Sequence, residues 1–327
     1  MSVRIGINGF GRIGRYVTRL LADEKDLELV AVNARASNQE LCHLLKYDSV
    51  HGRFLHTEPT DQGFTVKDRK VTVTRQAAGE WKWGELGCDL VLETTGKFTD
   101  RGSCEKHLAC GAKKVVVSAP AKEPDVTVVM SVNDAELKPE HRIISNASCT
   151  TNCLAPAAKL IHEAYGIKHG LMTTVHSYTM SQRVLDGSHK DIRRARACAV
   201  NMIPTTTGAA KAATLVIPAL KGKLDGMAVR VPTPNVSLVD LVCELEKSTS
   251  KDEVNALLKA AANDSMGFSE EPLVSTDYMG STFGGVVDAA LTTVIGGTML
   301  KLIIWYDNEA GFTNQLLRLT RKVAGMM

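Results

Sequence analysis

The sequence predicts a doubly wound α/β domain over residues 1–148 and an α+β domain over residues 149–312 with a large mixed or antiparallel sheet. Three observations carry this. Short apolar strands alternate with helical patterns through the first half, the order that builds parallel βαβ units. A glycine-rich turn, Gly9-Phe10-Gly11-Arg12-Ile13-Gly14, joins the first strand to the first helix. After RIIS (Arg142–Ser145) the strands lengthen and fewer crossover helices separate them.

Taken in order, VRIGIN (Val3–Asn8) is an apolar run that reads as a buried strand, and GRYVTRLLAD continues as a helix with apolar residues at helical spacing. LELVAVN (Leu27–Asn33), DLVLETT (Asp89–Thr95), KKVVVSA (Lys113–Ala119) and TVVMSV (Thr127–Val132) read as further strands, with helices such as Cys104–Cys110 between some of them. In the second half a long helix, LAPAAKLIHEAYG, precedes the strands GLMTTVHSYT, KLDGMAVRVP, SLVDLVCELE and MLKLIIWYD. The amphipathic helix Thr313–Ala324, within residues 313–327, is expected to pack back on the first domain.

Composition narrows the function. A chain of 327 residues suits about two domains, and a net charge of +3 predicts neither a nucleic-acid partner nor a membrane-surface protein. No stretch approaches the ~20 continuous apolar residues of a membrane span. MSVRIGINGF runs straight into a strand pattern, so no signal peptide and a cytoplasmic location are expected. Eight irregularly spaced cysteines fit reduced thiols better than a disulfide framework. Cys149 and Cys153 lack the paired spacing of a zinc site, and no metal is expected.

Gly9, Gly11 and Gly14 form a GxGxxG in the context that motif requires, after a strand and opening a helix. The glycines allow a tight turn and close approach of backbone N–H groups to a pyrophosphate, so the first domain reads as a Rossmann-type dinucleotide binder rather than a turn without a ligand. An acid that binds a free ribose 2′-hydroxyl is expected about 20 residues further on. The sequence there is Asn33-Ala34-Arg35, without a carboxylate. Arg35 could pair with a 2′-phosphate through its fork, or it is a solvent-facing loop residue.

SNASCTTNC (Ser145–Cys153) places Ser148 as a helix N-cap and Cys149 in the first turn. There the helix end favours a thiolate near neutral pH and the free N–H groups favour an oxyanion, although a structural thiol fits the local pattern equally well. Cys153, one turn deeper, reads as core. His176, in the strand pattern TTVHSYT, is the candidate base, and spacing alone does not bring it near Cys149. HKDIRRARA (His189–Ala197), PTTTGAAKA (Pro204–Ala212) and Arg230, in an otherwise apolar strand, are candidate anion sites; the basic run also suits a solvated or subunit-facing surface.

INGFGRIGR, LLKYDSVHGRF, SAPAK, SNASCTTNCLAP, TTVHSYT, PTTTGAAKA, RVPTPN and WYDNEAGF together resemble phosphorylating glyceraldehyde-3-phosphate dehydrogenases almost end to end. The resemblance implies that Cys149 attacks the aldehyde, that His176 takes the proton, and that phosphate displaces the resulting thioester. It implies that Thr179 and Arg230 hold the substrate phosphate. Ser148, Thr150, Thr207 and Gly208 would hold the attacking phosphate, with Arg194 a further member of these anion sites. Arg12 and Ile13 would contact the pyrophosphate, Arg75, Thr95, Gly96 and Ser118 would line the cofactor cleft, and Asn308 would orient the nicotinamide carboxamide. A homotetramer is implied, with the loop from about Ser177 to Ile203 against a neighbour's cofactor site.

The chain also departs from the common pattern of that family. Many relatives read N-D at Asn33-Ala34, and many NAD-specific ones read L-D-L-P-H where this chain has Leu185-Asp186-Gly187-Ser188-His189. A serine there resembles the photosynthetic, NADP-accepting branch, in which the neighbour's serine could donate to the 2′-phosphate. Asn33, Ala34, Arg35 and Ser188 therefore point to NADP, with NAD also accepted. Met180 and Ser181 replace a common Asn-Asp, and Phe312 stands where Tyr is usual. The alternatives are erythrose-4-phosphate dehydrogenase, against which the intact TTTGAAKA counts, and a non-catalytic thiol redox sensor on the same fold.

Overall fold

The computed structural model describes residues 2–327. The chain divides into two compact units, Met1–Ala147 with Thr313–Met327, and Ser148–Phe312.

The first unit is built on a nine-stranded sheet. Seven strands run parallel, in the spatial order Val126–Thr127, Ile143–Ser145, Lys114–Val117, Leu90–Glu93, Val3–Asn8, Leu27–Asn33 and Arg69–Thr74. Gly63–Val66 and Pro59–Thr60 extend it with antiparallel pairings. The order reverses direction around Val3–Asn8, from which the later strands run outward on both sides, Leu27–Asn33 to one and Leu90–Glu93 to the other. At such a switch point the carboxyl ends of adjacent strands open a crevice. The register sets what lines it, since Asn8 pairs with Asn33 on one side and Glu93 on the other. The helices Arg12–Leu21, Asn38–Lys46 and Arg101–Ala109 accompany the strands. Leu316, Leu317, Leu319 and Val323, from the last helix (Ala310–Ala324), are buried in this unit's core with Ile5, Ile7 and Val17.

The second unit has an eight-stranded mixed sheet. Ile167–Ser177 lies between Leu224–Val231, which is parallel to it, and Ser237–Leu245, which is antiparallel. Ser237–Leu245 in turn pairs antiparallel with Met299–Tyr306. The helix Cys149–Tyr165 buries Cys153, Leu154, Ala157, Ala158 and Ile161. Among the described residues no helix is long and apolar enough to cross a membrane.

One expected strand is corrected. Thr127–Val132 is extended only at its start, where Val126–Thr127 pairs with Ile144 and Ser145. The side chain of Asn133 accepts from the N–H of Val129 at 2.9 Å, and Ser131 turns into the left-handed region at φ 66°. That local hydrogen bond competes with the ladder and ends it. The Cys104–Cys110 helix starts earlier, at Arg101, because Asp100 caps it by accepting from the N–H of Ser103.

Candidate active site

In the second unit, Ser148 caps the helix by accepting from the N–H of Thr151 at 3.0 Å, which sets Cys149 at the first helical position. Parallel pairing puts His176 beside Arg230 across adjacent strands. His176 Nε2 lies 3.5 Å from Cys149 Sγ. The sheet therefore supplies the proximity that sequence spacing could not. Around the other ring nitrogen, His176 Nδ1 is 2.7 Å from the carbonyl oxygen of Ser177 and 2.8 Å from Arg230 Nη1, which also donates to that carbonyl at 2.9 Å.

Burial bears on the charge of both groups. Burial pushes the Cys149 thiol up, and the Arg230 charge and the Thr150 hydrogen bonds only oppose it. Burial, then Arg230, brings His176 down to about 3. Removal from water thus works against the charged form of both members, in opposition to the pull of the helix end on a thiolate. A neutral His176 is free to receive a proton from the Cys149 thiol.

The anion candidates gather unevenly. Arg194 donates from Nε to Thr205 at 2.9 Å, and its charge acts on both His176 and Arg230. Thr207 and Gly208 sit at the start of the helix Ala209–Val216, whose cap has no side-chain hydrogen bond. The Thr179 hydroxyl is 3.0 Å from that of Ser181. Thr150 is buried, with its hydroxyl 2.8 Å from Tyr306 OH rather than turned outward. The carbonyl of Ser188 accepts from Arg183 on an exposed loop that also exposes Met180, Leu185 and Ile192.

Asn308 is held by two serines. Ser177 and Ser237 donate their hydroxyls to Asn308 Oδ1 at 2.8 and 2.9 Å, which fixes the amide orientation and leaves its N–H₂ as the donor end. Val236, just before Ser237, has φ 67°, a strained conformation for a β-branched residue and one that clusters at functional sites. Neither Ser237 nor Tyr306 stood out in the sequence, since both sit in ordinary strand patterns.

In the first unit a cleft of about 690 Å³ is lined by Gly9, Gly11, Ala34, Arg35, Arg75, Thr95 and other residues at the strand ends. Its glycines fit a pyrophosphate. A Cβ on Gly14 would stand 2.4 Å from the carbonyl oxygen of Gly9, whereas Gly11 faces open space and caps the Arg12–Leu21 helix without a side chain, which leaves the N–H groups to a ligand. Arg35 is exposed on the cleft wall and has no hydrogen bond or ion pair among the described residues. Arg75 is tied to the carbonyl of Ala36 and to Asn38. Asn33 turns both ends of its amide inward, to Asn8, Thr74 and Gln76. The Arg12 guanidinium goes to Asp48, at 2.5 and 3.0 Å. Burial alone would raise the Asp48 carboxyl, but Arg12 and the N–H groups of His51 and Val50 hold it well below the usual range. Gly96 turns at φ 68° after Thr95, and Ser118 follows the strand Lys114–Val117. Among the described residues no cluster of metal-ligating side chains exists.

A glycine cradle at a sheet switch point and a cysteine–histidine pair at a helix start define a thiol-dependent dehydrogenase that uses a dinucleotide. Family comparison narrows this. Residues 3–101 match the glyceraldehyde 3-phosphate dehydrogenase NAD binding domain and residues 148–308 match the C-terminal domain of the same family. A glyceraldehyde-3-phosphate dehydrogenase from Geobacillus stearothermophilus is 56% identical, with 99% of each chain covered. Glyceraldehyde-3-phosphate dehydrogenase 1 of Bacillus subtilis (strain 168) is 53% identical over 99% of each chain, and a relative from Streptomyces coelicolor is 52% identical over 98%. The chain belongs to the glyceraldehyde-3-phosphate dehydrogenase family.

Proposed function

We propose that this chain oxidises and phosphorylates glyceraldehyde 3-phosphate to 1,3-bisphosphoglycerate, reversibly, and that it prefers NADP while also accepting NAD. The observation that carries the reading is the 3.5 Å approach of Cys149 Sγ to His176 Nε2 at a helix start. The sulfur attacks the aldehyde carbon as Nε2 takes its proton, and the hydrogen bond from Nδ1 to the Ser177 carbonyl steadies the imidazolium that forms. When bound, the dinucleotide supplies the two-electron acceptor that turns the Cys149 adduct into a thioester. Inorganic phosphate then attacks the thioester carbon, an acyl phosphate leaves, and Cys149 is released.

The substrate phosphate is assigned to Thr179 and Arg230, and the attacking phosphate to Ser148, Thr150, Thr207, Gly208 and Arg194. A phosphate on Arg230 would offset the charge that depresses His176 and make the imidazole a stronger base once substrate is in place. Gly9, Gly11, Arg12, Ile13 and Gly14 would hold the pyrophosphate, the last four through the open helix start. Thr95, Gly96 and Ser118 would flank the nicotinamide side, with Asn308 presenting its N–H₂ to the carboxamide.

NADP preference rests on the missing acid at Ala34, on the unpaired Arg35 beside Arg75 at the cleft wall, and on Ser188 from a neighbouring copy. A homotetramer is proposed because the Ser188 loop exposes Met180 at 90%, Leu185 at 78% and Ile192 at 82%, apolar surface that a second copy would cover. A cytoplasmic location follows from the reduced thiols. The test compares rates on glyceraldehyde 3-phosphate and erythrose 4-phosphate with and without inorganic phosphate. A preference for the triose and dependence on phosphate are expected, and a rate indifferent to phosphate would contradict the assignment.

A further inference from the structure

Behind the cleft wall of the first unit lies a buried polar chain that the chemistry above does not use. Glu93 ends the strand Leu90–Glu93 beside Asn8 and is 1% exposed, and His107 is 0% exposed. We propose that Glu93 is a positioning residue for the dinucleotide cleft, its carboxylate fixing the direction of the side-chain hydrogen bonds that hold Asn8 and the Thr95 turn in place. The proposal rests on the reading of that cleft as the dinucleotide site.

The directions follow from groups that can only donate. Trp83 Nε1 donates to His107 Nδ1 at 3.0 Å, so the imidazole proton is on Nε2, which donates to Glu93 Oε2 at 3.2 Å. On the other side, the N–H of Gln76 donates to Asn33 Oδ1 at 2.9 Å. Asn33 Nδ2 must then donate to Asn8 Oδ1 at 2.9 Å, and Asn8 Nδ2 donates to Glu93 Oε2 at 2.6 Å. The remaining oxygen of Glu93 accepts from the N–H of Thr95 at 2.7 Å and from its hydroxyl. That hydroxyl accepts in turn from the N–H of Lys97 at 3.1 Å, which closes the turn through Gly96.

Donors thus converge on Glu93 from every side, and neither chain can reverse, because one ends in an indole N–H and the other in a backbone N–H. A glutamine at this position must aim its NH₂ at donors, in a place no water reaches. Asn8 and Thr95 both line the cleft, so the mismatch is felt where the ligand binds.

The test is calorimetric titration of the full-length protein with NADP and with NAD. Glu93→Gln is expected to weaken both by about tenfold. KM for the dinucleotide should rise by a similar factor while KM for the aldehyde does not, a split that general destabilisation would not give. Combining it with Asn8→Asp transposes the charge and lets the glutamine donate to a carboxylate, so part of the lost affinity should return. Glu93→Asp, which keeps the charge, should lose less than Glu93→Gln. Binding by Glu93→Gln within twofold of the wild type overturns the proposal, as does a transposed pair that binds no better than the single variant. Should Glu93→Gln alone not fold, the transposed pair carries the test: folded and binding within about tenfold of the wild type supports it, folded and not binding overturns it. Absence of binding by the wild type would instead remove the dinucleotide reading itself.

Discussion

The polar centres of the two units end their hydrogen bonds differently. Around Glu93 in the first unit, the fixed donors converge on acceptors that use them, and the centre can only hold shape. Around Cys149 in the second unit, the contacts are 3.5 Å and longer on the sulfur, and Arg230 and the Ser177 carbonyl compete for one imidazole nitrogen. That centre has a proton to move and more than one place to put it. A saturated network supports, and an unsaturated one reacts; the contrast separates positioning residues from catalytic ones without reference to sequence motifs.

The comparison breaks first at His176. His176→Asn removes the proton acceptor, and a fall in kcat of about 10²–10⁴-fold is expected, measured by steady-state dinucleotide reduction. Fully retained kcat would mean the 3.5 Å approach has no chemical role. A smaller effect comes from Arg35→Asp with Ser188→Pro, which should turn the ratio of kcat/KM from NADP toward NAD by about tenfold or more. An unchanged ratio removes the explanation of cofactor preference.

Arg230→Gln sharpens the electrostatic part. A cation beside an imidazole disfavours the imidazolium, and Arg230 follows burial as a cause of the low His176 value of about 3. Its removal should move the acid limb of kcat/KM to higher pH and raise KM for the aldehyde phosphate. A profile unmoved in position would contradict the coupling.

The smallest effect is on stability. His176 has a folded value of about 3 against an ordinary 6.5, and burial also lowers His162. The unfolded chain binds more protons in that window, so stability is full above about 6.5 and falls as pH drops toward 3. Asp48, also depressed, adds to the fall below the usual carboxylate range. His176→Asn should flatten the decline in urea midpoint between pH 6.5 and 4, and an unchanged slope would count against the buried neutral imidazole.

Much of the fold was legible because the strands Val3–Asn8 and Leu27–Asn33 are apolar runs bounded by polar or turn residues. The hairpin Gly63–Val66 to Arg69–Thr74 carries no such signature: it turns through Lys67 and Asp68, with Lys67 at φ 53°, instead of through Asn-Gly. Cys149 and His176 could be singled out by residue type, and the sheet register that joins His176 to Arg230 could not. Glu93 had one visible signal, a carboxylate closing an otherwise apolar strand, but its partners come from Asn8, Thr95 and His107, which only the fold assembles. The surroundings of the thiol were hidden for the same reason: a helix start is visible in sequence, whereas the burial that opposes a thiolate there is not.

The most direct measurement is peptide mapping after one equivalent of iodoacetamide, with wild type and His176→Asn compared. Cys110, which like Cys149 keeps part of its surface exposed, serves as the reference thiol without a facing imidazole. The expected result is that Cys149 is labelled first with loss of activity in the wild type, and that His176→Asn slows its labelling toward that of Cys110. Label spread between Cys110 and Cys149, or a variant that reacts as fast as the wild type, would contradict the assignment of the pair as the reactive centre.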